Sequence, residues 1–285
     1  MTATSFAPVI AALDATLRGS DPCARFEVTV ADGRGAAERV LEAGAHLWIP
    51  DDGSWAGVGA VRDLGLVAPG TVVATSPVYL VTDPGTADQL GAVGGGWLGL
   101  AGLVTSGRVR MVVRDPGGSG DGLVAAGAVG EAVWLDAGMD ASAEALAAAL
   151  PHTRTVTGRD AALPDAIGEV GLVPGHALPD GVPDGLRALA PADHTALLRY
   201  TWLQTQRAAG DPAVAAAIYR ALQVFTGPDA VAALAAAHLG LPSGASAAQV
   251  LAAGGQAPTT PTSPLDPAAP TGSTDPGPAG GPGTP

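Results

Sequence analysis

The sequence predicts an α/β protein, and three observations carry that prediction. Short runs of apolar and β-branched residues alternate with segments whose apolar residues recur at helical spacing. Glycine- and proline-rich turns separate the two kinds of segment. With a compositionally biased end set aside, about 255 residues remain, enough to bury a sizeable core.

The elements follow in order. Thr4 or Ser5 caps the first helix, Pro8 lies in its first turn, and Ile10, Leu13 and Leu17 follow at helical spacing. FEVTV at 26–30 alternates like a strand, and the Asp32-Gly33 turn leads into a short helix around 36–43. HLWI at 46–49 is a second strand, stopped by Pro50-Asp51-Asp52-Gly53. The run TVVATSPVYLV at 71–81 is too long for one plain strand. Pro77 donates no ladder hydrogen bond, so the run is expected to bend or change partner there. A second series has a strand at 109–113, a glycine-rich turn at 115–122, helices at 123–135 and 142–150, and short strands at 154–157 and 169–173. The last third reads as helical: 197–208, a helix capped by Asp211 with Pro212 at its first position, and 228–238. Alternation of this kind predicts parallel sheets with helices on both faces.

Composition excludes several functions. The formal charge is −13, and all 14 basic residues are arginine. Without lysine there is no P-loop lysine, no Schiff base and no pyridoxal site. A pI near 4.5 without a basic cluster argues against nucleic acid as a partner. The 41 glycines and the missing lysine look like coding bias. Cys23 is the sole cysteine, so an intramolecular disulfide and a thiolate zinc site are both ruled out. Two uncharged stretches, 64–82 and 89–107, are broken by Pro69 and Pro77 and by seven glycines. They read as buried strands and loops rather than membrane spans. Residues 256–285 hold nine of the 25 prolines and no aromatic; such a segment cannot offset its ordering entropy and is expected to be disordered.

Among possible motifs, two glycine patterns invite a nucleotide reading and fail it. Gly33-Arg-Gly35 is followed by Glu38 where a third glycine belongs, and the 94–99 pattern lacks a preceding strand. The Asp115–Gly122 turn joins a strand to a helix. Its free N–H groups near Ser119 and Gly120 suit a ligand oxygen, the plain alternative being a capped loop without ligand. Asp121 argues against an anion there. The five histidines share no metal-ligand spacing. Asp51 and Asp52 read as a turn cap or an acid–base pair, and Trp48 and Trp55 as cleft lining or core.

Several pieces, in order, resemble one family. They are Thr2-Ala-Thr-Ser-Phe-Ala-Pro-Val9, His46-Leu-Trp-Ile-Pro-Asp51 with Trp55, Val73-Ala-Thr-Ser-Pro-Val-Tyr-Leu-Val81 and Trp97…Leu100…Arg108-Val109. Val112-Val-Arg-Asp-Pro-Gly-Gly-Ser-Gly-Asp-Gly-Leu123 and Leu189-Ala-Pro-Ala-Asp-His-Thr-Ala-Leu-Leu-Arg-Tyr200 complete the set. Together they resemble bacterial extracellular solute-binding proteins of the type II periplasmic-binding fold, in a branch often joined to a von Willebrand factor A domain. The resemblance spans about 2–254.

It implies two lobes, each a sheet flanked by helices: 1–74 plus 192–255, and 75–191, with hinges near 75–81 and 173–191. It further implies a ligand cleft touched by Thr4, Ser5, Asp32, Gly33, Ser76, Ser119, Gly120 and His176, without catalysis, cofactor or metal. The implied partners are a small molecule of unnamed class and a membrane transporter or other surface protein. The implied location is extracytoplasmic or at the cell surface. Oxyanion-binding members carry a small hydroxyl and a threonine where Asp32 and Asp121 stand, so a neutral or cationic ligand, or none, is favoured.

The chain also departs from the pattern. It opens without a signal segment and inside the family's first strand, which suggests a late gene start, an excised domain or a lobe lacking an edge. Arg199-Tyr200-Thr201 replaces an aspartate-tyrosine-proline element, and no Asp-x-Ser-x-Ser motif occurs. Three readings result: a solute-binding protein, a degenerate relative serving as an interaction module, and an α/β enzyme using Asp51 or His176.

Overall fold

The strand that contains Pro77 changes partner at that residue. The computed structural model describes residues 1–57, 65–158 and 161–252; the expected disorder at 256–285 lies outside them. The strands are β1 (Leu47–Trp48), β2 (Leu66–Thr82), β3 (Arg110–Arg114), β4 (Thr153–Val156), β5 (Glu169–Pro174), β6 (Arg187–Leu189) and β7 (Leu197–Thr205). They are ordered β1-β7-β2-β5-β3-β4, with β6 also on β2. The first part of β2 pairs antiparallel with β7 as far as Pro77 opposite Leu197. From Val78 opposite Pro174 it pairs antiparallel with β5 instead. A residue without an N–H marks the handover, as its chemistry requires. Irregular register between Val67 and Thr71 and between Val72 and Ala74 bends the strand further.

The helices are α1 (Ala7–Ala12), α2 (Asp14–Ser20), α3 (Gly35–Glu42), α4 (Pro84–Ala92), α5 (Trp97–Thr105), α6 (Gly120–Ala137), α7 (Met139–Ala149), α8 (Gln206–Ala209), α9 (Pro212–Phe225), α10 (Pro228–Ala236) and α11 (Ala247–Ala252). Asp211 caps α9 by accepting from the Ala213 and Val214 N–H groups. Ser119 caps α6 through the Gly122 N–H. No described helix is long and apolar enough to cross a membrane.

Four sequence expectations need correction. Residues 197–205 are a strand, not a helix, because Leu198, Tyr200 and Trp202 bury one face while Arg199 stays exposed. That is period 2, and the segment fills the slot between β1 and β2. Residues 26–30 are no strand beyond a single bridge from Val30 to Thr2; Phe26 and Val28 remain exposed without a sheet to cover them. The sheet is mixed: β3 runs parallel to β4 and β5, and every other strand pair is antiparallel. Neither Thr4 nor Ser5 caps α1, whose capping position is Phe6 without a side-chain bond.

The main apolar core is continuous through the sheet, from Phe6, Val9 and Phe225 past Leu80 and Leu172 to Val129 and Val133. Phe6 stacks on Tyr200 at 5.6 Å between ring centroids. Trp48 and Trp55 belong to a separate cluster with Val40 and Leu203, which assigns both to packing. Leu80 lies in the shared strand, wholly buried. Leu80→Ala is therefore expected to cost about 2–5 kcal/mol in urea unfolding, with no compensation from the surface.

Candidate functional site

The start of α6 is reached by a carboxylate from a turn 69 residues earlier in the chain. Ser119 spends its side chain on the cap and on the Asp115 carbonyl. The Gly120 N–H is left pointing outward, as expected for the first turn of a helix. It donates to Asp51 Oδ2 at 2.6 Å. The other oxygen, Oδ1, accepts from the Trp55 indole N–H at 2.8 Å and from the Gly33 N–H at 3.4 Å. The adjacent Asp52 accepts from Ser54 N–H within its own turn and from Arg199 N–H on β7. Two neighbouring aspartates thus divide the work: one ties the turn to β7 and the other ties it to the start of α6.

Two glycines permit this approach. A methyl on Gly33 would stand 2.2 Å from the Gly118 carbonyl oxygen, and Gly33 has φ +66°. A methyl on Gly120 would stand 2.9 Å from both Asp51 and Asp52. Side chains at these positions would push the two sides apart.

A second group adjoins the first. Ser5 Oγ lies 2.8 Å from the Tyr200 hydroxyl, and that hydroxyl lies 3.5 Å from His176 Nδ1. Nδ1 is also 3.1 Å from Ser76 Oγ, which accepts the His176 backbone N–H. Ser76 and Tyr200 are wholly buried. Thr4 donates its N–H and its hydroxyl to Asp32, at 2.7 and 2.5 Å. Asp121 pairs with Arg114 at 3.1 Å, while its second oxygen is buried without a partner.

Electrostatics tie the groups together. Burial pushes the Asp51 carboxyl up to about 6; the Gly120 N–H opposes this, and the nearby Asp32 and Asp121 charges add to it. Burial holds the His176 imidazole down at about 4. Although His176 keeps some surface exposure, its ring is enclosed by Ser76 and Tyr200. Burial also drives the Tyr200 hydroxyl far above its ordinary range.

All eight residues expected at the cleft therefore fall in one neighbourhood. Gly33 and Gly120 meet through Asp51; Ser5 and His176 meet through Tyr200, and Ser76 joins them through His176; Thr4 holds Asp32; and Ser119 acts as a cap. Sequence reasoning did not place Asp51, Tyr200 and Arg114 there. Asp51 had a signal in its Trp48-Ile-Pro-Asp-Asp setting, and Tyr200 was hidden by the helical reading of its segment. No group of three or more metal-ligating side chains occurs among the described residues. A small cavity of about 50 Å³ lies beside the α6 start, lined by Arg114, Asp115, Ser119 and Gly158 among others. A larger groove of about 340 Å³, on α2 and α9, contains none of the cleft residues.

No family model matches the sequence, and no curated protein sequence matches it. Solved structures do. The chain is similar to the sulfate-binding protein of Mycobacterium tuberculosis, with a TM-score of 0.61 and 14% identity, covering 88% of this chain and 89% of that one. It is similar to the ferric binding protein of Campylobacter jejuni, with a TM-score of 0.60 and 12% identity, covering 85% of each. A phosphate-bound ABC transporter substrate-binding protein from Clostridium perfringens gives a TM-score of 0.54 and 13% identity, covering 84% of this chain and 98% of that one. At such identities the likeness is one of fold, and it is the fold that the sequence resemblance implied. None of the comparisons bears on the von Willebrand factor A association.

Two measurements test this geometry. Gly33→Ala is expected to cost about 1–3 kcal/mol and to enlarge the radius of gyration in small-angle scattering; an unchanged radius would mean the two sides are not in contact in solution. The second is pH dependence. Asp51 binds its proton more tightly folded than unfolded, so its share of stability is full below about 3.8 and is lost as pH rises through about 6. His176 works oppositely: its share is present above 6.5 and is lost as pH falls through about 4. The two slopes partly cancel between pH 4 and 6. His176→Gln should expose the Asp51 slope, seen as urea midpoints that fall as pH rises across that window.

Proposed function

We propose that this chain is a non-catalytic solute-binding protein that works outside the cytoplasm and closes two lobes on a small ligand. One lobe is 1–74 plus 192–255, and the other is 75–191, hinged where β2 and the return segment cross. The observation that carries this reading is the buried meeting of Gly33 and Gly120 across Asp51, with Ser5, Tyr200, His176 and Ser76 beside it. Residues from segments far apart in the chain converge on one polar patch, as a closing cleft requires. Ligand that touches both lobes would favour the closed population. The bound solute would then pass to a membrane transporter or another surface protein. That the similar structures include sulfate-, iron- and phosphate-associated binding proteins supports this general reading.

A second reading has a specific observation in its favour. Asp51 fills the meeting point with the protein's own atoms, as expected of a binding fold kept as an interaction module without a small ligand. An enzyme reading is less well supported. Asp51 and His176 are perturbed, but both Asp51 oxygens already accept N–H groups. Ser76, wholly buried, already accepts the His176 N–H.

A thermal-shift screen over amino acids, polyamines, sugars, peptides, metal ions and oxyanions separates the first two readings. Ligand at about 100 times its Kd adds about 2.7 kcal/mol, so one class should raise the Tm clearly. A folded protein that responds to nothing favours the interaction module. Ser119→Asp retains a good helix cap while adding charge to the cleft. It should abolish binding of the identified solute without unfolding; unchanged affinity by calorimetry removes Ser119 from the site.

A further inference from the structure

We propose that Asp51 is a tethered occupant of the cleft. Its carboxylate takes the donors a free anion would need, so it excludes oxyanions and holds the two sides closed without a ligand. This inference rests on reading the interface as a ligand cleft.

Four observations carry it. Asp51 is almost wholly buried. Its two oxygens accept from three N–H donors, and two of these, Gly33 and Gly120, lie on segments far apart in sequence. The glycine spacing shows the fit is close: a methyl on Gly120 would already collide with Asp51. Asp51 also belongs to a turn in which Asp52 accepts the Ser54 N–H, while its own bonds to Gly33 and Gly120 reach outside that turn.

The charges around it favour a single anion. Asp32 is engaged by Thr4, and Asp121 by Arg114; the charges that bear on Asp51 from these two neighbours are negative. A free sulfate or phosphate would add negative charge beside three carboxylates and find its donors already taken. The ligand class that remains leaves Asp51 in place: neutral or cationic, or another protein's surface.

The test uses the full chain and its Asp51→Ala variant, with formate, acetate, sulfate and phosphate as probes and chloride as the ionic-strength control. The wild type should show no anion-specific rise in Tm. The variant should start lower and recover by several degrees, saturably, with formate or acetate, the small carboxylates that fit the vacated donors. An anion-specific shift in the wild type overturns the proposal, as does a folded variant that no probe rescues. Should the variant not fold, amide exchange of the wild type decides. Slow exchange at Gly33 and Gly120 supports the latch, and exchange at the rate of exposed loops overturns it. The solute screen judges the ligand-cleft reading separately: rescue of the variant by formate with no wild-type ligand leaves the latch standing and removes the solute.

Discussion

A carboxylate removed from water must be supplied with hydrogen-bond donors, and much of this interface is arranged to supply them. Asp51 has three: an indole, a turn amide and the first free amide of a long helix. Each donor imposes a further demand. The turn amide requires a backbone with positive φ pressed against Gly118, so position 33 must be glycine. The helix amide requires an approach that excludes a side chain at position 120. The indole requires Trp55 to pack beside Trp48, which the second apolar cluster provides. Without the carboxylate, three buried or half-buried donors would lose their acceptor together, and an unsatisfied buried polar group is costly.

The same logic explains how an acidic protein tolerates so many carboxylates in one place. Asp32, Asp51, Asp52 and Asp121 lie close together, yet among the described residues only Arg114 supplies a countercharge in direct contact with any of them. The others are held by backbone and hydroxyl donors, which stabilise an anion without bringing a counterion. The compensation is incomplete at Asp51, whose proton affinity rises. The buried imidazole nearby refuses its own proton. Perturbed groups of this kind are often read as catalytic. Here Asp51 accepts three N–H groups and His176 Nδ1 lies against Ser76 and Tyr200, all within the protein itself.

Much of the architecture was legible in the sequence because it depends on local chemistry. Pro77 announces the handover of β2 between partners, since no other residue type lacks the ladder donor. Asp211-Pro212 and the Ser119 turn announce helix starts through capping, which is decided within four residues. The strand at 197–205 was not legible, because Leu, Tyr and Trp satisfy helix and strand spacing alike over so short a run, and the choice falls to the slot between β1 and β2. The eight residues expected at a cleft followed from resemblance, and the hydrogen bonds that link Gly33, Gly120, Ser5, Ser76 and His176 to their partners are structural facts that spacing alone does not give. Asp51 could not be ranked above its neighbour, because two adjacent aspartates in a turn look identical until the distant Gly120 amide selects one of them.

The strand order also bears on how the chain is made. β1 has β7 as its ladder partner, and so does the first part of β2, yet β7 follows them by more than a hundred residues. The intervening segment contains the complete set of β3, β4, β5 and β6, together with the second part of β2 that they flank. During synthesis from the N-terminus, the strands from the second part of β2 to β6 are all present while β1 and the first part of β2 still lack β7, the strand between them. Early residues must wait, with apolar faces such as that of Trp48 uncovered, until the ribosome has delivered Leu197–Thr205. β7 is thus the last strand to be delivered, and it joins β1 to the first part of β2.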